Sequence, residues 1–286
     1  MSDVQSILRV YRKAAEANLR TPGRVGCVVH IGEPTGCPGD DVVVSADLHG
    51  HRVNLGRILK YADLEAQPRR HLVLQEVCHG GPFYPGTRAC MSHLMLEDVA
   101  RLKVQYPDRV HFLLSNHELA ELIELAIVKG NRMLNLQFRF GMEQQYGEAA
   151  EEIRAAACEF IRSCPLAIRL SNRIWVSHSA PADLDLEAFD AEVFSRPLRN
   201  PDLVRGGAAF RLVWGRDFRQ ENADAFARLV DADLLVHGHE PCETGYCVPN
   251  TRQLVLDSSK SPACCLHVPL GAPPVMGELL RGLRFL

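Results

Sequence analysis

Apolar and polar positions alternate along this chain in two periods, and the switches between them predict its elements. Val4, Ile7, Leu8 and Tyr11 share one face of MSDVQSILRVYRKAAEANLR at helical spacing, which predicts an amphipathic N-terminal helix. Residues 21–39 form a loop-rich lead-in with a short strand at 25–31. Short β-branched or apolar runs predict strands at 41–45, 71–75, 110–114, 167–170, 174–177, 234–236, 254–256 and 265–268. Helical spacing covers 53–62, 91–106, 119–128, 148–163 and 223–230. The Pro/Gly-rich tail PLGAPPVMGELLRGLRFL ends in a short helix. Alternating strands and helices predict an α/β fold with central sheets. No repeat or long linker divides the chain, so residues 1–40 read as a helix-and-loop extension and 41–286 as the main unit of a single domain.

Nearly every His/Asp/Asn cluster directly follows a short apolar strand, and sheets of this class carry ligand sites just outside their strand carboxyl ends. Five such motifs occur: Asp47-Leu48-His49-Gly50, Glu76 in LQEVCHGG, Asn116-His117-Glu118, His178 in VSHS, and His239 in VHGHEP. Each alone is weak, since a lone histidine at a strand end is more often structural. Five in one chain, all with nitrogen or oxygen donors, point to a metal centre. Mixed imidazole and carboxylate donors suit manganese, iron or zinc rather than calcium.

Composition narrows the class. Hydrophobic residues make up 47% and charged residues 23%, the balance of a soluble globular protein. A net charge of −3 offers no basic excess for nucleic acid, and no basic amphipathic stretch suits a membrane surface. No apolar run reaches the roughly 18 residues that span a bilayer. The N-terminus lacks the apolar core and cleavage site of a signal peptide. The ten cysteines are expected as reduced, mostly structural thiols in a cytoplasmic protein. Neither Cys242 with Cys247 nor Cys264 with Cys265 makes a zinc knuckle by spacing.

The order Asp-x-His, acidic residue, Asn-His-Glu, His, Gly-His resembles the calcineurin-like metallophosphoesterases, and most of all their phosphoprotein phosphatase branch. YPDRVHFLLSNHE, SCPLAIRLSNRIWVSHSAP, LVWGRDF and LVLDSS carry the likeness, which spans roughly 41–268. It implies a β-sandwich of two mixed sheets flanked by helices. It also implies two divalent or transition metal ions, with manganese first and iron or zinc as alternatives. Asp47 and His49 would hold one metal, Glu76 would bridge both, and Asn116, His178 and His239 would hold the other. His117 would be the general acid that protonates the leaving alkoxide, its imidazole titrating near pKa 6.5. A metal-bridging hydroxide would attack a phosphomonoester directly, with no phosphoenzyme. The substrate would be a phosphorylated protein or small molecule, with no nucleic-acid or membrane partner. A phosphodiesterase, a nucleotide-polyphosphate hydrolase, or a weakened metal- or phosphate-binding homologue are the alternatives.

The second motif departs from the family's Gly-Asp-x-x-Asp-Arg-Gly. Glu76 stands at the bridging aspartate, His79 at the aspartate that orients the general acid, and Gly80 at the phosphate-binding arginine. Arg216 in VWGRDF is the candidate replacement phosphate ligand, and His79 is expected either to bind phosphate or to orient His117. His51 and His237 read as structural neighbours of the motifs, Glu118 as a brace for its own loop, and Arg88 and His93 as solvated loop residues.

Overall fold

The computed structural model describes residues 4–32, 36–184 and 187–286. Its first half runs α1 (Val4–Leu19), β1 (Arg24–Val25), β2 (Val28–Ile31), β3 (Asp41–Asp47), α2 (Arg52–Ala62), β4 (Arg70–Gln75), α3 (Ser92–Gln105), β5 (Val110–Leu113), α4 (Asn116–Leu122), β6 (Val128–Lys129), β7 (Arg132–Met133), α5 (Leu134–Tyr146) and α6 (Ala150–Ser163). The second half runs β8 (Ala167–Leu170), β9 (Ile174–Ser177), α7 (Asn200–Leu203), α8 (Ala208–Trp214), α9 (Gln220–Leu229), β10 (Leu234–His237), β11 (Tyr246–Cys247), β12 (Gln253–Leu256), β13 (Cys264–Pro269), α10 (Met276–Arg281) and β14 (Leu283–Phe285).

Two mixed sheets face each other. One has the order β1-β2-β8-β9-β10-β12-β11 and the other β14-β13-β3-β4-β5. β3, β4 and β5 are parallel, as are β9, β10 and β12, while β13 joins β3 antiparallel. Side-chain alternation explains the layering. Val42, Val44 and Ala46 of β3 and Val73 of β4 point into the sandwich against Ile168, Val176, Val236 and Leu254. The intervening Val43, Leu72, Leu74 and Phe112 point outward under the helices. Strands buried on both faces read as unbroken apolar runs, which is why 41–45 and 71–75 look as they do.

The N-terminal segment packs onto this outer layer. Ile7, Leu8 and Tyr11 of α1 are buried, Tyr11 lies 6.1 Å from the Phe160 ring of α6, and β2 pairs with β8 in the register Val28↔Ala167. Buried Lys103 ties α3 to both neighbours, donating to Thr21 Oγ1 at 2.8 Å and to the Val110 carbonyl at 3.0 Å.

Several elements differ from the sequence expectation, among them α7, α8, β11 and β14, which no pattern predicted. The helix expected at 119–128 begins at Asn116 and ends at Leu122, so the Asn-His-Glu motif forms its first turn. The chain then makes the β6–β7 hairpin and enters α5, neither of which was anticipated. In α5 the apolar residues Leu134, Leu136, Phe138 and Phe140 recur every second position, a strand-like pattern that conceals the helix. Its buried face is instead mixed, with Asn135, Gln137, Phe138 and Met142. His93, expected on a solvated loop, is buried in the first turn of α3 and meets the Tyr84 hydroxyl at 3.1 Å.

Candidate metal centre

All five motifs emerge at the carboxyl ends of strands from both sheets. Asp47 is the last residue of β3, Glu76 follows β4, Asn116 starts α4 just after β5, His178 follows β9, and His239 lies just past β10. His49, Glu76, His79 and His239 all have positive φ, between 43° and 69°. Non-glycine residues tolerate that region only where surroundings over-determine them, and such outliers cluster at functional sites. The Leu48 and His49 amides donate to the Glu76 carbonyl at 2.8 and 3.0 Å, clasping the first two motif loops together.

Glu76 lies at the junction of two donor groups: His49, Glu76 and His117 on one side, and Glu76, His178 and His239 on the other. His49 Nε2 is 3.1 Å and His117 Nε2 3.9 Å from Glu76 Oε1, while His178 Nε2 is 3.0 Å from Glu76 Oε2. Asn116 Oδ1 approaches His178 Nε2 at 2.7 Å and His239 Nδ1 at 2.9 Å. Asp47 sits nearer the second group: its Oδ1 accepts from the His239 amide at 2.9 Å and lies 3.8 Å from His178 Nδ1.

Ring protons can be assigned from the surrounding bonds. The Gln75 amide nitrogen donates to the Ser45 carbonyl at 2.8 Å, which turns its Oε1 toward His178 Nδ1 at 3.0 Å. His178 therefore carries a proton on Nδ1, and its Nε2 lone pair faces the oxygens of Asn116 and Glu76. His49 repeats the pattern: Nδ1 faces the Cys78 carbonyl at 3.3 Å, leaving the Nε2 lone pair toward Glu76. Glu76 Oε2 is buried without a hydrogen-bond partner. Lone pairs converging on a buried carboxylate repel one another unless a cation lies between them. The donor set therefore fits metal ions.

The ionisation of the bare site agrees. Burial and the Glu76 charge push Asp47 well above the usual carboxylate range. Burial also opposes ionisation of Glu76, yet His117, His178 and His49 outweigh it and hold Glu76 well below that range. Burial works against His178 as well, but Glu76 and Asp47 raise it. A proton on His178 then relieves, in part, the charge that a cation would neutralise.

His117 departs from the expected near-neutral imidazole. Burial, aided by the neighbouring histidines and only partly offset by Glu76, pushes it down to about 3 in the protein alone. Its Nδ1 lies 2.8 Å from His79 Nδ1, and His79 Nε2 lies 2.7 Å from Glu121 Oε1. The Asn135 amide donates to the same Glu121 oxygen at 2.7 Å. Both His79 ring nitrogens are thus engaged by protein, which leaves neither for phosphate. Glu121, one helical turn after His117 on α4, was not singled out from sequence, although the i, i+4 spacing carries the signal.

Arg216 does not point at the cluster's open side. Its Nε donates to His239 Nε2 at 3.0 Å, and its Nη1 pairs with Glu240 at 3.0 Å. In this arrangement His239 keeps its proton on Nδ1. Glu118 braces the second loop as expected, accepting from the Val77 and Cys78 amides at 2.9 and 2.7 Å and bonding Ser115 Oγ. His51 caps α2 by accepting from the Asn54 amide at 3.2 Å, and His237 meets the Ser177 carbonyl at 3.1 Å.

Gly80 explains the missing arginine. Its φ is +130°, and an added Cβ would lie 2.8 Å from the His49 carbonyl oxygen. Gly50 and Gly81 touch just as closely, so the loops carrying His49 and His79 approach through glycine backbone.

The two-sheet architecture and this cluster are those of a metallophosphoesterase. The calcineurin-like phosphoesterase family model matches residues 41–243, and the chain belongs to that family. Among solved structures, a serine/threonine protein phosphatase from Saccharomyces cerevisiae superposes with a TM-score of 0.70 at 15% identity, covering 99% of this chain and 89% of its own. A cold-active protein tyrosine phosphatase of a psychrophilic Shewanella superposes at 0.56 and 16% identity, covering 88% and 78% respectively. These likenesses extend the shared fold beyond the matched segment. No curated protein matches the chain by sequence. Among the described residues no helix is long and apolar enough to cross a membrane.

Proposed function

We propose that this chain is a dinuclear metal-dependent phosphomonoesterase, with Asp47, His49, Glu76, Asn116, His178 and His239 as metal ligands and His117 as general acid. The observation that carries this reading is Glu76, a buried carboxylate shared by two donor groups. Two divalent cations, manganese first and iron or zinc as alternatives, would polarise the phosphate and activate water for in-line attack. The longer glutamate reaches both groups from a φ of 43°, so the family's aspartate is not required for sharing.

The chain's own residues supply the rest. Glu121 accepts from His79 Nε2–H, and the His79 Nδ1 lone pair accepts from His117 Nδ1–H. That line presents His117 Nε2 to the site, and Glu121 balances the positive charge His117 gains when a proton is taken up at Nε2. His79 with Glu121 thereby does the work of one aspartate. For His239 to ligate through Nδ1 its proton must move to Nε2, where Arg216 now donates. Arg216 must then release His239. Being half exposed, it is free to swing toward a phosphate.

Purified protein is expected to hydrolyse p-nitrophenyl phosphate with stimulation by manganese, and His117→Ala to remove most of that activity. Elemental analysis should find two metal ions per chain, with both lost in Glu76→Gln. Equal inactivity of wild type and variant across manganese, iron, cobalt and zinc would overturn the reading.

A further inference from the structure

A cavity of about 370 Å³ lies in front of the cluster, with His49, His79 and His117 along one wall. Its other wall is the β6–β7 hairpin, which contributes Lys129 and Arg132, while Lys260 joins from the loop after β12. None of its lining residues is acidic, in a chain where Asp and Glu outnumber Lys and Arg by 35 to 32. Among the described residues, Lys129, Arg132 and Lys260 form no ion pair. Exposed hairpin cations are ordinarily just solvated. Here three converge on one concave space beside the reactive groups, where like charges reinforce each other and raise the local concentration of anions.

The cations are also more than the scissile phosphate requires. Metal ions at the cluster would already neutralise that group. The cavity lies within the size range of small-molecule sites, and Phe83 and Leu134 add apolar surface to it.

We propose that Lys129, Arg132 and Lys260 form a second anion subsite that selects small phosphoesters carrying another phosphate beside the one held at the metal cluster. The inference rests on the phosphoesterase reading for the position of the first phosphate, but the subsite is tested by binding alone. Arg132 offers a planar fork to phosphate oxygens, and the two lysines offer point charges on flexible stems.

The test compares methylenediphosphonate with methylphosphonate by calorimetry on metal-loaded protein. Wild type is expected to favour the diphosphonate by at least about 10-fold, the value of one charge-assisted contact. In Lys129→Ala/Arg132→Ala/Lys260→Ala that preference should fall below about 3-fold, with kcat on p-nitrophenyl phosphate within about 2-fold of wild type. The hairpin is exposed, so the fold should survive. Should the triple variant not fold, Lys260→Ala alone must reduce the preference, and wild type must lose it on raising salt from 50 to 500 mM. A preference absent from wild type, or intact in the variant, overturns the proposal. So does a dependence on these residues seen only with an acidic phosphopeptide, which assigns the surface to a protein substrate. Protein that binds the diphosphonate as expected but turns over no phosphoester would sink the phosphoesterase reading and leave the subsite standing.

Discussion

At the scale of single residues, the substitutions in the second motif are coupled rather than independent losses. His79 stands in an aspartate's place, but its imidazole is longer, and it finds a carboxylate one step away in Glu121. Glu121→Gln should therefore lower kcat by about 10- to 100-fold, the usual cost of removing a group that orients a catalytic one. It should leave KM nearly unchanged and shift the acidic limb of the kcat–pH profile. A purely structural role would instead lower thermal stability without moving that limb. Gly80→Arg makes the opposite point. Restoring the family residue places a Cβ against the His49 carbonyl at a φ that side chains avoid, so it should reduce metal content and activity rather than improve them. Elemental analysis of that variant decides it. The candidate donors were legible in sequence because each follows a recognisable strand. The relay was not, because His79 and Glu121 meet only across the fold, 42 positions apart.

At the scale of elements, legibility followed hydrophobic period. β3, β4, β5, β8, β9 and α6 lie close to where apolar patterning puts them, because burial on known faces produced the pattern. α5 was missed for the converse reason: it buries Asn135 and Gln137 and leaves Leu136 and Phe140 exposed, so its apolar positions do not mark its buried face. α1 was read correctly as amphipathic, and its packing now yields a number. Tyr11 is 1% exposed and its ring lies tilted against Phe160 between α1 and α6. Tyr11→Ala should cost about 3–5 kcal/mol, as aromatic truncations in cores do. Urea denaturation should show a lower midpoint with an unchanged slope. A loss under 1 kcal/mol would mean that α1 is only loosely attached.

At the scale of the whole molecule, buried histidines outside the metal centre make stability depend on pH. His71 and His111 stack on the inner, sandwich-facing side of β4 and β5 with Nδ1 and Nε2 3.0 Å apart, and His71 Nε2 also meets the Pro38 carbonyl at 3.1 Å. Burial lowers His71, and burial together with Lys103 and His71 pushes His111 well below its ordinary value. Burial also pushes His93 down to about 4. For a base whose folded pKa is depressed, the unfolded chain binds more protons between the two pKa values, so stability rises with pH through that window. Full stability is present above about 6.5 and is lost as pH falls toward about 4. Each histidine contributes up to about 1.4 kcal/mol per pH unit there, and His93 roughly 3 kcal/mol in all. The measurement belongs on chelator-treated protein, since acid would also release metal from the proposed ligands His178 and His239. Urea midpoints from pH 7.5 to 4.5 should fall steadily in wild type and more shallowly in His93→Gln. An equal slope in both would place the acid sensitivity elsewhere than in this buried ring.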